Sequence, residues 1–457
     1  MGKDKRAKED THYSAPLKCW SLLKEVNNAY DERIKAAIES KKPIITATAM
    51  VPQQLINSFD VVYIAGEWYG SICGFFRDVS LTETAEKCGF LHELCSYARM
   101  TLGSMIEDRG FLGKYPKPTA VLGAEGFCIV QAKWFEALAR YHNAPFFVID
   151  SAPIMAHPYK NWGEEAVRDS VEFVARQLGN AIDFLEWATR QKLDEKRLVD
   201  TVRTMHRNEV LWDDLLDLWG KNPSPITIRN LFTFENLIIS LPCTKDATRV
   251  LEEVIGEVRE RIEKGITGIE NEEVRLLWNA QPGWYILGTL EYFRSHGATF
   301  VASPYLAVWG SQYRYNSIGR AIPQWLREWK DPTSVDECIW EIAKGMTAQN
   351  SARPRLDATI EEIKRMAIRT EADGGVWHAV RGCKGVSYGG LGELEAIRND
   401  LGLPGFVMEG SPADYRDFSE GPTLRQIRVF VEQVKRMKKR RMAKRTEESK
   451  LQDGVEL

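Results

Sequence analysis

The chain has no Cys-x-x-Cys pair anywhere in its 457 residues, although it carries eight cysteines. That absence removes zinc ribbons, thioredoxin-type redox pairs and the clustered cysteine runs of ferredoxins. Also missing are a Gly-x-x-x-x-Gly-Lys-Ser/Thr phosphate loop, a Gly-x-Gly-x-x-Gly turn and a His-Glu-x-x-His helix. Their absence argues against a Walker-type ATP site, a dinucleotide fingerprint and a metallopeptidase site. No apolar run reaches the roughly 18 residues of a membrane span. The opening stretch MGKDKRAKEDTHYS is charged and lacks the apolar core of a secretory signal. A cytoplasmic protein with no membrane contact is therefore expected. An excess of one charge is lacking too: 61 Lys and Arg face 64 Asp and Glu, a formal net charge of -3. A nucleic-acid partner would need a basic stripe. The one strongly basic stretch, residues 435–445, reads more simply as a helix end that frays into a solvated tail.

What is present is ordinary globular composition, 44% hydrophobic and 27% charged. The length suits two or three domains that need no disulfide staples. In a reducing compartment the eight cysteines act as core residues, nucleophiles or ligands. A metal site would have to gather its cysteines from distant positions.

Local patterns suggest an α/β protein. Residues 1–42 form an N-terminal helical segment. Short β-rich runs alternate with helical stretches over residues 43–164, which predicts a small doubly wound parallel-sheet domain. One helix is expected over 84–102, and helices at 52–58 and 130–140. Residues 165–275 are charged and helix-periodic, interrupted by Asn222-Pro-Ser-Pro225. A second doubly wound domain is expected over 276–440, followed by a charged tail at 441–457.

Parallel sheets bind ligands at the carboxyl ends of their strands. Cys128 follows a predicted strand in LGAEGFC, and Cys383 follows another in VWHAVRGC. Both loops are glycine-rich, which permits close backbone approach to a bulky ligand. Cys95, on the expected 84–102 helix, could lean over the same crevice. Three thiolates suit a cluster with one open metal position. The simpler alternative for any one of them is a buried, inert thiol. Cys73 and Cys88 share part of this context, but core packing explains them as well, and explains Cys19, Cys243 and Cys338 better. Gly385-Val-Ser-Tyr-Gly389 matches a nucleophile elbow at Ser387. It lacks the strand directly before it, so a plain glycine-rich loop is preferred.

Three cysteine contexts carry a family resemblance. They are ELCSYARMTLG, VLGAEGFCIVQAKWFEALARYHNAPFFVIDSAP and RGCKGVSYGGLGELEAIRNDLGLPGFVMEGSPADYRD. Over about 45–160 and 275–435 the chain resembles the cluster-bearing subunits of the 2-hydroxyacyl-CoA dehydratase and benzoyl-CoA reductase family. The resemblance implies that Cys95, Cys128 and Cys383 hold a [4Fe–4S] cluster. It leans toward the larger cluster-bearing subunit of ATP-dependent benzoyl-CoA reductase, which reduces the aromatic ring of benzoyl-CoA to a cyclic dienoyl-CoA. Dehydratases of this kind commonly read Tyr-x-Pro-x-Glu in the first loop, where this chain has Met50-Val-Pro-Gln-Gln54.

The implied partners are a homologous cluster-bearing subunit, ATP-hydrolysing activator subunits, ferredoxin as electron donor and an aromatic acyl-CoA. A crowd of aromatics from Trp278 to Trp329, including Tyr313 and Tyr315, could wall in such a substrate, although a helical core and a subunit interface explain them more simply. Trp68, Tyr69 and Trp278 are the expected substrate contacts. Glu67 and His92 are the expected proton donors; each could instead tune a ligand by hydrogen bonding. The alternatives are a radical lyase that dehydrates a 2-hydroxyacyl-CoA, and a non-catalytic scaffold or electron-relay subunit.

Overall fold

Ile44, Ile45, Ala47 and their neighbours are apolar on both faces, which suits a strand covered by helices on either side. The computed structural model describes residues 16–125, 128, 130–150, 163–310, 324–350 and 356–453. Tyr313, Tyr315 and the Ser151-Ala-Pro153 end of the second motif lie outside the described residues, as do the first fifteen positions.

The first half runs α1 (Trp20–Ser40), β1 (Ile44–Ala47), α2 (Gln53–Ile56), β2 (Val62–Ala65), α3 (Gly66–Phe75), α4 (Val79–Lys87), α5 (Ser96–Glu107), β3 (Ala120–Ala124), α6 (Gln131–His142) and β4 (Phe146–Ile149). α1 buries Leu23, Val26, Tyr30, Ile34 and Ala37, a stripe at three- and four-residue spacing. Five helices follow: α7 (Glu164–Thr189), α8 (Glu195–Trp219), α9 (Ile228–Phe234), α10 (Asn236–Ile239) and α11 (Lys245–Glu263). Asp194 and Thr244 cap α8 and α11 by accepting from the N–H groups of Arg197 and Ala247.

The second half runs β5 (Val274–Asn279), α12 (Leu287–Ser295), β6 (Ala298–Ala302), α13 (Pro304–Ala307), α14 (Val335–Asn350), α15 (Leu356–Arg369), β7 (Gly374–Val380), α16 (Lys384–Ser387), α17 (Gly390–Leu401), β8 (Gly405–Gly410) and α18 (Glu420–Asp453). Among the described residues the strands form two wholly parallel sheets, ordered β2-β1-β3-β4 and β6-β5-β7-β8. This is the expected α/β class. Both sheets reverse direction of growth at the same place, between β1 and β3 and between β5 and β7. Such switch points open a crevice at the carboxyl ends of the strands.

Several elements depart from the sequence-based expectation. Residues 84–102 are not one helix. α4 ends at Lys87, Gly89 takes φ 94, and a new helix begins at Ser96. The Cys88-Gly89 pair supplies the left-handed turn that a helix interior excludes. Cys88 is consequently exposed at the end of α4 rather than packed in the core. α3 starts directly on β2, and neither α3 nor α15 was anticipated.

The basic stretch does not fray either. α18 continues through it to Asp453. Lys435 pairs with Glu273 at 2.9 Å, and Lys438 and Arg441 pair with Asp373 at 2.8 and 3.0 Å. Those acids stand immediately before β5 and β7. No helix among the described residues is long and apolar enough to cross a membrane.

Candidate functional site

A cavity of about 680 Å³ opens where the two sheets present their carboxyl ends. Its lining comes from the segments after β1 (Ala49, Met50), β2 (Glu67, Trp68), β3 (Cys128, Gln131), β5 (Gln281, Trp284), β6 (Tyr305, Trp309) and β7 (Cys383, Val386). Cys95 lines it as well. The wall is mainly apolar and aromatic, with Trp134, Phe111 and Phe232 adding to it.

Each of the three cysteines stands just ahead of a helix. Cys95 is the residue before α5, Cys128 lies three before α6, and Cys383 immediately precedes α16. Backbone N–H groups of Tyr97 and Ala98 face Cys95, and those of Val130 and Gln131 face Cys128; both pairs favour a thiolate. Burial acts more strongly the other way. It pushes the Cys95 thiol well up, helped by the negative charges that Cys383 and Cys128 would carry. Burial and Cys383 push Cys128 up to about 12. Three mutually repelling, partly desolvated thiolates need a positive charge among them, so this donor set fits a thiophilic metal centre.

Gly382 makes the grouping possible. Its φ is +74, and a Cβ there would lie 3.0 Å from both the N and the Cα of Cys95. Only glycine allows the β7 loop to rest on the Cys95 turn. Gly66 plays a similar steric part, since a Cβ would fall 2.5 Å from the Phe135 ring. It lets α3 begin against α6 and carries Glu67 to the cavity.

Glu67 lies in the first turn of α3. Its carboxylate accepts from the Ala49 N–H at 2.9 Å and from the Gln131 side-chain amide. Desolvation raises its carboxyl to about 7, against the pull of those hydrogen bonds and of its own backbone N–H. It can therefore hold or release a proton near neutrality. Trp68, beside it, lines the cavity and packs against Tyr30 and Phe111.

The other expected site residues are elsewhere. Tyr69 is buried against Phe111 and Tyr115, with its hydroxyl 2.8 Å from Ser104 Oγ. It packs α3 onto α5. Trp278 is sealed inside the second sheet, donating to the Ala280 carbonyl at 2.6 Å and meeting Phe300 edge-on. Neither is among the residues lining the cavity.

His92 is at the surface, between Glu86 at 3.1 Å and Asp417 at 2.9 Å. The break between α4 and α5 turns it away from Cys95. Glu86, His92 and Asp414 have the proximity of a metal site. Arg99 and Arg416 already donate to both carboxylates, so the group reads as an ion-pair network. Cys73 is buried on α3 and lines no part of the cavity. Ser387 is no nucleophile elbow: its hydroxyl donates to the Val380 carbonyl and accepts the Val380 N–H, closing the turn.

The sequence reading missed the residues that fasten the Cys95 turn. Arg99 Nε donates to the Leu94 carbonyl at 3.1 Å and its Nη1 to Asp414 at 2.7 Å. Ser96 Oγ accepts from the Ala413 N–H at 2.9 Å, and Trp284 Nε1 donates to the Tyr97 hydroxyl at 2.5 Å. Their signal was present in the charged end of the third motif, but nothing in one sequence paired it with the first. It also missed Glu235, taken up below.

The 2-hydroxyglutaryl-CoA dehydratase D-component family profile matches residues 48–434. The chain is 24% identical to the (R)-2-hydroxyisocaproyl-CoA dehydratase alpha subunit of Clostridioides difficile, over 91% of this chain and 96% of that one. It is 22% identical to the lactoyl-CoA dehydratase subunit alpha of Anaerotignum propionicum, over 92% and 97%. It is 24% identical to the (R)-phenyllactyl-CoA dehydratase alpha subunit of Clostridium sporogenes, over 92% and 93%. These similarities move the balance from ring reduction, the activity first expected, to dehydration. The chain belongs to the 2-hydroxyglutaryl-CoA dehydratase D-component family.

Proposed function

We propose that this chain is the alpha-type subunit of a 2-hydroxyacyl-CoA dehydratase. The reaction breaks the C2–O and one C3–H bond, forms the C2=C3 double bond and releases one water. One observation carries the reading: Cys95, Cys128, Cys383 and Glu67 line a single apolar cavity between two switch points. Full-length similarity to dehydratase alpha subunits supports it.

Cys95, Cys128 and Cys383 would hold a [4Fe–4S] cluster, whose fourth iron keeps a position free of cysteine. When bound, it supplies low-potential one-electron chemistry to the cavity. The chain's own residues do the rest. The N–H groups at the starts of α5 and α6 favour thiolate ligands. Glu67 exchanges a proton through its carboxylate, oriented by Gln131 and the Ala49 N–H. The aromatic wall excludes water and packs on the acyl group. A second cluster-bearing subunit, ATP-hydrolysing activator subunits and ferredoxin complete the proposed complex. The lack of a phosphate loop here supports that division of labour.

The test is product analysis of the assembled complex with reduced ferredoxin and ATP. (R)-2-Hydroxyisocaproyl-CoA, (R)-phenyllactyl-CoA and lactoyl-CoA should give enoyl-CoA products. Ring reduction remains the second reading, on the strength of the aromatic wall. A cyclic dienoyl-CoA from benzoyl-CoA, with no enoyl product from the hydroxyacyl substrates, would replace the first reading with it.

A further inference from the structure

Glu235 joins α9 to α10 and lines the cavity while only 1% exposed. Its Oε1 accepts from the Tyr305 hydroxyl at 2.6 Å, and its Oε2 has no hydrogen-bond partner. Four further lining residues hold buried polar atoms without partners: the Oδ1 of adjacent Asn236, Nε1 of Trp309, one turn along from Tyr305, and, across the cavity, Oε1 of Gln131 and Nε1 of Trp134. Folded proteins leave few such atoms unsatisfied. Several on the wall of one cavity indicate polar contacts completed by a ligand.

We infer that Glu235, held by Tyr305, is a ligand-binding acid that donates a hydrogen bond from Oε2 to a carbonyl oxygen of the bound acyl-CoA. The inference rests on the acyl-CoA reading above and adds a residue to it. Among the described residues no cation pairs with Glu235. Burial raises its carboxyl to about 8 while the Tyr305 hydrogen bond pulls the other way, so Oε2 carries a proton at neutral pH. A protonated carboxyl offers a donor to a carbonyl, whereas a carboxylate would repel it. The carbonyl belongs either to the thioester or to a pantetheine amide.

The pH dependence has other titratable neighbours. Tyr305 of α13 donates to Glu235, and Tyr97 of α5 feels its charge. Lys24 and Asp31 of α1, Glu67 of α3 and the thiols of Cys95, Cys128 and Cys383 line the same cavity. Comparing wild type with Glu235→Gln cancels their shared contribution.

The experiment is anaerobic calorimetry of (R)-phenyllactyl-CoA binding to the assembled complex between pH 6 and 9. Glu235→Ala should weaken binding about tenfold at pH 7, the loss expected for one buried hydrogen bond. Glu235→Gln, whose amide still donates, should stay within about threefold at pH 7. Wild-type binding should weaken relative to Glu235→Gln as pH rises past about 8, because only the wild type loses its donor. If Glu235→Ala fails to fold, the pH difference between wild type and Glu235→Gln decides alone.

A CoA thioether lacking the thioester carbonyl separates the two acceptors. The alanine penalty vanishes with this probe if the acceptor is the thioester and persists if it is an amide. Unchanged binding by Glu235→Ala, or parallel pH curves for wild type and Glu235→Gln, overturns the inference and leaves the dehydratase reading intact. A wild-type complex that binds no acyl-CoA overturns both.

Discussion

Arg99 Nη1 meets Asp414 Oδ2 at 2.7 Å, with the two side chains 1% and 0% exposed. Arg99 opens the second turn of α5 and Asp414 follows β8, so this buried pair ties the Cys95 turn to the far sheet. Burial alone would raise the Asp414 carboxyl, but hydrogen bonds from Arg416 and Arg99 outweigh it and hold it below the usual range. Removing Asp414 takes from the buried Arg99 its one fully buried carboxylate partner and leaves it the more exposed Glu86 at 2.6 Å. Asp414→Ala should therefore destabilise the chain by roughly 3 kcal/mol. The check is the thermal midpoint at pH 7. Because the folded carboxyl is depressed, this stabilisation is present above the unfolded value of about 3.9 and fades as pH falls below it. Wild type and Asp414→Ala should converge toward acid pH; a constant difference down to pH 2 would show the ionised pair to be unimportant.

The sheets were legible because each strand is a short apolar run bounded by turn residues, as at Ile44–Ala47 and Gly374–Val380. Cys128 and Cys383 could be picked out because each follows a strand in a glycine loop. The placement of Cys95 ahead of α5 was not legible. It depends on a left-handed residue at Gly89 inside a stretch that otherwise looks helical. Trp278 and Tyr69 were misjudged for another reason: aromatic identity says nothing about which face of an element turns to the core. Glu235 gave no signal, since its meaning lies in lacking a partner, a property of the packed structure alone.

Cysteine substitution separates ligands from bystanders. Cys95→Ser, Cys128→Ser and Cys383→Ser should each lower bound iron and sulfide to less than about half, since a thiolate ligand is lost. Cys73→Ser and Cys88→Ser should leave the content unchanged, because those side chains do not line the cavity. Iron and acid-labile sulfide assays on anaerobically purified protein read the result. Equal iron in all five variants would sink the ligand assignment.

Gly382→Ala tests the backbone approach behind that assignment. A left-handed φ costs an ordinary residue about 1–2 kcal/mol. The added Cβ also presses on the Cys95 backbone. The expected result is iron loss comparable to that of Cys95→Ser, with only a modest fall in thermal stability. A variant with full iron content would mean that the loop relaxes without moving Cys383.

Glu67→Gln should act on activity and stability in opposite senses. Loss of a general acid or base lowers kcat about 10²–10⁴-fold. For stability, the folded carboxyl lies at about 7. That is above an unfolded value of about 4.3, so folding favours the neutral form. Its contribution is full below the unfolded value and is lost as pH rises toward 7. Glutamine removes this penalty. The variant should gain roughly 1–3 kcal/mol over wild type at pH 8 and nothing at pH 4. Paired thermal melts at the two pH values give the readout. A variant equally stable to wild type at both would mean that the carboxyl is well solvated.

The cavity wall makes a prediction about substrate choice. Trp68, Trp134, Trp284, Trp309 and Phe232 all line it. A lactoyl group would leave most of the roughly 680 Å³ to water, whereas a phenyl ring would meet aromatic faces and edges. Burying a ring rather than leaving it exposed is worth about 2 kcal/mol, or roughly thirtyfold in kcat/KM if the contact persists into the transition state. (R)-Phenyllactyl-CoA should therefore exceed lactoyl-CoA by about that factor. Replacing Trp134 by Ala should narrow the gap chiefly by slowing the aromatic substrate, because lactoyl is too small to reach the whole wall. Steady-state competition between the two thioesters measures the ratio directly. A ratio near one, or one favouring lactoyl-CoA, would mean that these rings serve the protein core rather than the substrate.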